Sequence, residues 1–555
     1  MKKLLSLALA TALALTALVG CGGGGGGTSG TSGSGGSSGP ASSGEPKVLA
    51  FPYKGDIATL DMNLCYDGNT AEVICNTVAG LFTHTLDGQL ANEMVKDYTV
   101  SDDGVVYTFH LRDDFKWSNG DPVTAHDFVY SWRRLADPNT GSTFANYVSN
   151  AYMLNGAAVV NGEKDPSELG VKALDDYTLE LTLERPVPYL LTFLCEASFR
   201  PVNQKFQESL GDKFGTTYQN AIYCGPYYVA DWQTEYEIRL EKNPDYPMAG
   251  QVKVDTVIIK VVKDGNTALN LFETGQLDAI ELSAEQAVQY RDDPRAQPYP
   301  STNMNFLVLN EMNPILANAN ARKAIACVLD KQFMVDELYS NGSTVADYII
   351  PRGLDFDESG KDFRDTSPIP AAYDLEKGKA YWEQAKQELN LPEYTLRVQT
   401  GESPASKTRS EFFQSQMEKN LEGLTIEFDY VTSKTGIENE ISGDFDTTFS
   451  TWNVDYLDLS FFIDMFTTGF YANTGRYSNP EFDKLAELAS TEYINDKEKR
   501  WDALREAERI LVVEGMGVVP IYQESKLFLV ADRVVNYHQS VITPTRAFAN
   551  MDITQ

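Results

Sequence analysis

The fold is decided by residues 107–135, which read YTFHLRDDFKWSNGDPVTAHDFVYSWRRL. Residues 107–111 alternate apolar and polar side chains, which predicts a half-buried strand. Residues 117–122 contain Asn-Gly and Asp-Pro, the residue types of a turn. Thr124 and Asp127 then form a capping pair at the start of a helix. The apolar residues of that helix recur on one face, at Phe128, Trp132 and Leu135.

Further short elements are predicted on both sides of this stretch. Residues 48–53 predict a first buried strand, and residues 98–100 pair with 105–111. A helix is predicted to begin near Thr70, with its apolar face at Val73, Ile74, Val78 and Leu81. Residues 445–451 predict a late strand. Two helices follow that strand, carrying Phe482, Leu485 and Ala489, then Trp501, Leu504 and Leu511.

Length and charge bound the class of protein. The chain has 555 residues, of which 42% are hydrophobic and 23% are charged. That length exceeds what one hydrophobic core supports, so two or more lobes are expected. The formal net charge of −33 repels the phosphate backbone of nucleic acids, so no nucleic-acid partner is expected. The same acidity serves solubility.

The N-terminus has the pattern of an export signal. Lys2 and Lys3 precede an apolar run over residues 4–18, which is short for a membrane span and typical of a signal peptide. The following Leu-Val-Gly-Cys ends at Cys21 and resembles a lipobox, in which the cysteine is acylated and becomes the new N-terminus. Residues 1–20 are therefore predicted to be a lipoprotein signal peptide. The alternative is a signal peptide that the ordinary signal peptidase removes.

Residues 21–44 are almost entirely Gly, Ser and Thr after the cysteine. Such a segment cannot bury apolar surface and stays flexible, with a root-mean-square length of roughly 25 Å. We predict a lipidated tether that holds the body of the protein at the outer face of the cytoplasmic membrane.

Cysteine and histidine patterns predict neither a metal site nor a cofactor. The cysteines after Cys21 are odd in number and contain no Cys-x-x-Cys pair; they are Cys65, Cys75, Cys195, Cys224 and Cys327. The four histidines show no His-Glu-x-x-His spacing, so zinc and a Cys-His catalytic pair are unsupported. We interpret the five cysteines as buried structural residues.

Residues 450–458 read STWNVDYLD and contain the first candidate binding group. Asp455 is flanked by Trp452 and Tyr456, and a carboxylate between aromatic side chains suits a cationic group held away from water. The alternative is a strand end followed by a helix cap. Asp455 and Asp458 could also form a glycosidase couple, but no Gly-x-Ser-x-Gly elbow, phosphate loop or metal cluster supports an enzyme.

Several segments of the chain match a known family in the same order along the sequence. Segment 116–125 reads KWSNGDPVTA, 224–228 reads CGPYY, 240–246 reads LEKNPDY, 275–279 reads GQLDA and 519–522 reads VPIY. Further matching segments are 103–104, 107–112, 127–131, 134–140, Asn310, 322–325 and 329–331. Together these segments resemble the oligopeptide- and dipeptide-binding proteins of ABC importers, the extracellular solute-binding protein family 5. The resemblance covers residue 48 to the C-terminus.

The resemblance implies a two-lobed α/β fold like that of periplasmic binding proteins, with an extra subdomain in lobe I. By analogy lobe I covers 45–305 and 522–555, its subdomain about 80–203, and lobe II 306–521. The crossing segments would fall near Asn305 and Pro520. Such proteins trap the ligand as the lobes close on a hinge, and hold the peptide backbone by strand-like pairing.

The resemblance also implies a site. In oligopeptide binders the acid of a Trp-x-x-Asp-Tyr sequence receives the peptide's α-ammonium, and Trp452, Asp455 and Tyr456 match it. The other residues carried over are Asn453, Asn303, Asn305, Phe306, Tyr66, Asp67 and Phe144. Some relatives pair a cysteine after the Trp with one on the crossing strand; here those positions match Asn453 and Phe306, so that disulfide is absent. Arginines that neutralise the peptide's C-terminus are replaced by Glu440 and Phe449.

These features predict a monomeric lipoprotein, without catalytic activity, that captures peptides and delivers them to the permease subunits of an ABC importer. An alternative keeps the fold and changes the ligand to a nickel complex, haem, a sugar or a signalling peptide, because fold does not determine ligand.

Overall fold

The computed structural model describes residues 45–86, 89–357, 359–454, 457–541 and 545–554. The predicted signal peptide, Cys21 and the tether lie outside these residues, as do Asp455 and Tyr456. No helix in the described ranges combines the length and apolar character that a membrane crossing requires.

The strands are short except for two that run through the middle of the largest sheet. In chain order they are β1 (Val48–Tyr53), β2 (Phe82–His84), β3 (Leu90–Asn92), β4 (Val95–Val100), β5 (Val106–Leu111), β6 (Val171–Asp175), β7 (Thr178–Thr182), β8 (Tyr227–Gln233), β9 (Glu237–Lys242), β10 (Thr256–Val261), β11 (Ala279–Glu281), β12 (Ala296–Leu309), β13 (Thr344–Val345), β14 (Tyr394–Gly401), β15 (Leu424–Val431), β16 (Thr447–Trp452), β17 (Val518–Val530), β18 (Val534–Val535) and β19 (Asp552–Ile553).

The helices alternate with the strands, which is the α/β class expected from the resemblance. They are α1 (Gly68–Thr77), α2 (Ala125–Ala136), α3 (Tyr147–Asn150), α4 (Gly156–Val160), α5 (Leu190–Phe193), α6 (Gln204–Leu210), α7 (Gly265–Glu273), α8 (Ala284–Tyr290), α9 (Ala319–Val328), α10 (Lys331–Phe333), α11 (Phe363–Thr366), α12 (Leu375–Leu389), α13 (Pro404–Asn420), α14 (Ser433–Ser442), α15 (Phe461–Asp464), α16 (Pro480–Ser490) and α17 (Lys497–Arg509). π-helical turns, Met334–Tyr339 and Ile510–Gly515, extend α10 and α17.

Three larger sheets organise these elements. One has the order β1-β10-β9-β8, with β1 and β10 parallel. A second, antiparallel sheet has the order β4-β5-β7-β6. The third has the order β11-β17-β12-β16-β14-β15, with β13 added to β17. The long strands β12 and β17 therefore join the region of β11 to the region of β14 and β15.

The apolar side chains form separate cores on either side of this junction. The largest core is built from residues 49–279 and 528–553, and a smaller one beside it includes Phe272 and Leu529. Residues 304–522 build two further cores. β12 separates the latter two, since alternate side chains of a strand point to opposite faces. Met304, Phe306 and Val308 enter one core, and Leu307 and Leu309 enter the other. The lobe boundaries stay a prediction.

Two predictions that depend only on neighbouring residues are confirmed. β1 has the predicted bounds, and Thr124 and Asp127 form a capping box at the start of α2. The predicted helix after Thr70 was wrong at its end, because α1 stops at Thr77. Val78 and Leu81 are buried for a different reason, since both belong to the large core after the chain has left the helix.

All five described cysteines are buried free thiols, as interpreted from the sequence. Burial raises the pKa of Cys75 to about 11 and that of Cys65 to about 12. Thiolate formation near neutral pH is therefore suppressed, which suits structural residues.

Candidate ligand-binding site

β12, β16 and β17 bring several predicted residues together. β12 pairs antiparallel with β17, and the register breaks between Pro300 and Met304 and again between Asn305 and Phe306. β16 pairs with the other edge of β12, with Trp452 opposite Met304. The irregular segment 301–303 consequently lies beside the end of β16.

A cavity of about 440 Å³ opens beside this segment. Asn303 and Asn453, both predicted from the sequence, line it. Thr302 donates a hydrogen bond of 2.8 Å from Oγ1 to Oδ1 of Asn453, and Asn303 donates one of 2.7 Å from Nδ2 to Glu524. These bonds fix the two amide side chains at the rim, where their remaining polar atoms can meet a ligand.

Charged side chains line the rest of this larger cavity. Glu72 and Arg546 form a buried ion pair of 2.7 Å, and Tyr53 donates a hydrogen bond of 2.6 Å to the same carboxylate. Lys54 and Lys526 lie 3.3 and 3.5 Å from the oxygens of one carboxylate, Glu281. The two ammonium groups thus share a single partner, which leaves this wall of an acidic protein locally basic.

A second cavity, of about 360 Å³, has an aromatic wall and joins residues 146–189 to residues 452–500. Its aromatic side chains are Tyr152, Tyr189, Trp452, Phe461, Phe470 and Tyr471. The Arg185 guanidinium lies 3.8 Å from the ring centre of Tyr152. The buried Nε1 of Trp452 has no hydrogen-bond partner among the described residues. A planar or aromatic group could stack here and accept that bond.

Asp464 is an ionisable group of this second cavity whose pKa is strongly raised. Burial raises its pKa to about 7, and the neighbouring Asp458 adds to the rise, while Arg500 and Arg185 oppose it. Its side chain accepts a hydrogen bond of 3.2 Å from Ser460. The carboxyl is therefore poised to change charge near neutral pH.

Other predicted residues lie outside these two cavities. Phe306 is 1% exposed and packs in the core against Phe466, so it does not line either cavity. Asp67 caps α1, since it accepts hydrogen bonds from the backbone and hydroxyl of Thr70. Tyr66 is exposed beside it. Phe144 stacks on Tyr147.

Positions 453 and 306, which match the disulfide of some relatives, also lie apart. Asn453 is bonded to Thr302, whereas Phe306 pairs with Ser450. In the register of β12 with β16, positions 453 and 306 do not face each other.

Asp455 and Tyr456 lie outside the described residues, and their roles stay predictions. Asp458 is 4% exposed and accepts a hydrogen bond of 2.7 Å from Arg500, so its charge is already used within the chain. That position does not favour a glycosidase couple. Among the described residues no cluster of three or more His, Cys, Asp or Glu could hold a metal ion.

Four residues of these cavities were not predicted from the sequence: Lys54, Lys526, Arg185 and Asp464. Lys54 directly follows β1, a strand that pairs in parallel with β10, and polar residues after the carboxyl ends of parallel strands are a usable signal. The other three residues carry no local signal, because their partners come from distant parts of the chain.

The long crossing strands, the separate cores and the cavities beside them define a solute-binding protein of two-lobed α/β architecture. Residues 89–474 match the bacterial extracellular solute-binding proteins, family 5 Middle, and the chain belongs to this family. Members of the family are solute-binding transport proteins and not enzymes, so this chain is a binding protein.

Named relatives span nearly the whole chain. The dipeptide-binding protein of Lactococcus lactis is 30% identical over 496 residues, which is 87% of this chain and 90% of the relative. The structure of Listeria monocytogenes OppA bound to peptide is 34% identical and superposes with a TM-score of 0.67 over 92% of this chain and 100% of that one.

A third comparison concerns conformation. The unliganded open form of the murein tripeptide-binding protein MppA is only 25% identical, yet superposes with a TM-score of 0.82 over 92% of this chain and 98% of that one. The higher score at lower identity cannot come from closer relatedness. The described residues from 46 onward are therefore arranged more like the open form than like the peptide-bound relative.

Proposed function

We propose that this protein is the extracytoplasmic receptor of an ABC importer and binds peptides in a cleft between its two lobes. The observation that carries the proposal is the similarity to relatives named dipeptide- and oligopeptide-binding proteins over almost the whole chain. The placement of Asn303 and Asn453 at one cavity supports it, because amide side chains suit the backbone of an extended peptide.

In this proposal Asp455 receives the α-ammonium group of the peptide. The Trp452-x-x-Asp455-Tyr456 sequence is one support. The two residues that precede it add another, since Trp452 lines the aromatic cavity and Asn453 the larger one. An ammonium group excluded from water needs a fixed negative partner, and a carboxylate supplies it.

Ligand capture would close lobe I, at 45–305 and 522–555, onto lobe II, at 306–521. The similarity to an open, unliganded relative supports a starting state that can close. Small-angle scattering should show a smaller radius of gyration with peptide than without. A ligand at a hundredfold excess over its dissociation constant should also raise the free energy of unfolding by about 2.7 kcal/mol. Unchanged scattering with peptide bound would contradict closure.

The ligand class is tested by native mass spectrometry of the full mature protein. The protein is mixed with a tryptic digest of casein, and the bound species are released and sequenced. Bound peptides with free α-amino groups are expected. A second candidate class comes from a relative named as a probable deoxycholate-binding periplasmic protein of Escherichia coli, 27% identical over 86% of this chain. The aromatic cavity favours such an apolar ring system, and binding of deoxycholate without any peptide would replace the proposal.

The membrane anchor is proposed from Cys21 and the preceding lipobox. Cys21→Ser should release the protein to the medium or leave an uncleaved precursor, whereas the wild type should partition into detergent. A mature wild-type N-terminus without lipid mass would contradict the anchor.

A further inference from the structure

Two cavities separate the same two walls of the molecule. One is the aromatic cavity of about 360 Å³ between residues 146–189 and residues 452–500. The other, of about 230 Å³, lies beside it and shares Tyr189 and Arg500 with it. The first wall packs into the largest core, and the second into one of the two cores of residues 304–522. Protein interiors are close-packed, so gaps of this size mark a surface where two separately packed bodies have room to approach each other.

Arg185 places a positive charge on the first wall and has no acid of its own. Its guanidinium lies 3.8 Å from the ring centre of Tyr152, and its Nε is buried without a hydrogen-bond partner. No carboxylate of the described residues lies within ion-pair distance of it. Burying a cation without a negative partner is costly, so bringing a carboxylate to this guanidinium lowers the free energy.

Asp464 is the acid of the second wall at this cavity. Burial raises its pKa, and the charge of Arg185 opposes the rise although the two side chains do not form an ion pair. The Asp464 carboxyl accepts a hydrogen bond of 3.2 Å from Ser460. Arg500, also at this cavity, donates a hydrogen bond of 2.7 Å to Asp458 and is thereby engaged. Asp464 and Arg185 are therefore opposite charges that face one gap, each without an ion-pair partner.

The other titratable groups that line the aromatic cavity are phenols, which carry no charge near neutral pH. They belong to Tyr152, Tyr189 and Tyr471. The charges that act on the Asp464 carboxyl are thus those of Asp458, Arg500 and Arg185.

We propose that Arg185 and Asp464 form a latch, an ion pair that joins the two walls when the protein closes around its ligand. This inference rests on the proposed capture of peptides by closure. In the open arrangement neither charge has its partner, whereas closing gives each the other, so the latch stabilises the closed state alone. Because the ion pair favours the ionised carboxyl, Asp464 loses its proton on closing.

The latch couples peptide binding to pH. In the open state the pKa of Asp464 is about 7 because of burial. An opposite charge at ion-pair distance lowers the pKa of a carboxyl group by about one to three pH units. Between the open and the closed value, the open state holds a proton that the closed state lacks. Peptide affinity should therefore rise with pH, by about 10- to 100-fold from pH 4.5 to pH 7.5 through this pair.

Calorimetry in buffers of different ionisation enthalpy counts the protons released on binding. The full mature protein is titrated at pH 6 with a synthetic peptide whose sequence comes from the casein digest. The latch should contribute roughly 0.4 to 0.9 of a proton for each peptide bound. Asp464→Asn and Arg185→Gln should each release fewer protons than the wild type by this amount, and the two losses should not add. Arg185→Lys keeps the positive charge and should retain most of the release.

Glu311→Gln is the matched control. Burial also raises the pKa of Glu311 to about 7, but its ion-pair partner Arg322 lies 3.3 Å away, within residues 304–522. Closing leaves that pair unchanged, so this variant should release as many protons as the wild type. Equal proton release by the wild type, Asp464→Asn and Arg185→Gln would overturn the latch while peptide binding stands.

A cross-linking experiment tests the latch without relying on the peptide. The double variant Arg185→Cys, Asp464→Cys is treated with a short bismaleimide, while the five described native thiols are buried. Mass spectrometry of tryptic fragments should find the two positions linked slowly in the ligand-free protein and faster with the peptide. Absence of the linked fragments in both samples would overturn the latch. Linkage in a protein that binds no peptide would support the latch and overturn the proposed peptide function.

Discussion

Glu508 and Arg409 are both charged residues of the region built from residues 304–522, yet they differ in what surrounds them. Glu508 is fully buried and accepts hydrogen bonds from the backbone of Ile349 and Ile350 and from Arg364. Arg409 contacts an aromatic ring and has no acid among the described residues. A charge whose partners are built into the chain stabilises one structure. A charge without them is costly to bury.

The largest expected effect comes from removing the satisfied acid. Glu508→Ala leaves Arg364, which is 4% exposed, buried without its counter-charge. Breaking such a pair costs about 3–5 kcal/mol in the free energy of unfolding. Urea denaturation measures it. Glu506→Ala is the control two residues earlier, where an exposed pair with Arg509 contributes about 0–1 kcal/mol. Equal losses of unfolding free energy in the two variants would show that the buried pair of Glu508 stabilises the protein no more than the exposed pair of Glu506.

Asp455 should behave as a charge reserved for the ligand. Asp455→Ala should weaken peptide binding by about 3–5 kcal/mol, or roughly a hundred- to several-thousandfold, with little change in unfolding. Acetylation of the peptide's N-terminus should cost a similar factor, and the two losses should not add. Calorimetry with a peptide recovered from the casein digest tests this on both proteins. Asp532→Ala, which removes an exposed acid, is the charge control. Equal affinity for the acetylated peptide would give Asp455 another role.

Asp464 is an intermediate case between Glu508 and Arg409, because both a negatively charged and positively charged side chains act on its carboxyl group. Its pKa is about 7 in the folded chain against an ordinary value of 3.8. The folded state therefore binds more protons between these values, so the free energy of unfolding falls as pH rises from about 4 to about 7. Asp464→Asn should be about 1–3 kcal/mol more stable than wild type at pH 8. The difference should disappear below about pH 4.

Urea curves at pH 4, 5 and 8 measure this difference. Glu311, whose pKa is also raised to about 7 by burial, titrates in both proteins and cancels in the comparison. A variant less stable than wild type at pH 8 would mean that Arg500 and Arg185 more than offset the burial of the carboxylate.

The smallest effect is expected for Arg409 in the ligand-free protein. Arg409→Gln removes a ring contact but also relieves an uncompensated charge, so the free energy of unfolding should stay within about 1 kcal/mol of wild type. Thermal and urea unfolding without ligand measure it. A loss comparable to that of Glu508→Ala would mean that Arg409 has a structural partner, and the contrast between the two residues would fail.

Short-range features of the fold were predictable. The bounds of β1 and the Thr124 capping box depend on residues within a few positions of one another. The end of α1 was not predictable, because Val78 and Leu81 continue the apolar pattern while contributing to the core from beyond the helix. Asn303 and Asn453 line the same cavity. Both were predicted as site residues from the family resemblance and not from their spacing in the sequence.

The sequence by itself determined the local elements, the family resemblance and the acidic character of this protein, since periodicity, capping and net charge are properties of neighbouring residues or of the whole composition. Only the tertiary structure decided which charges are paired. Asn303 and Asn453 are far apart in the chain, and the pairing of β12 with β16 brings them to one cavity. Partner choice depends on distance in space and on burial, and neither can be read from residue order before the chain has folded.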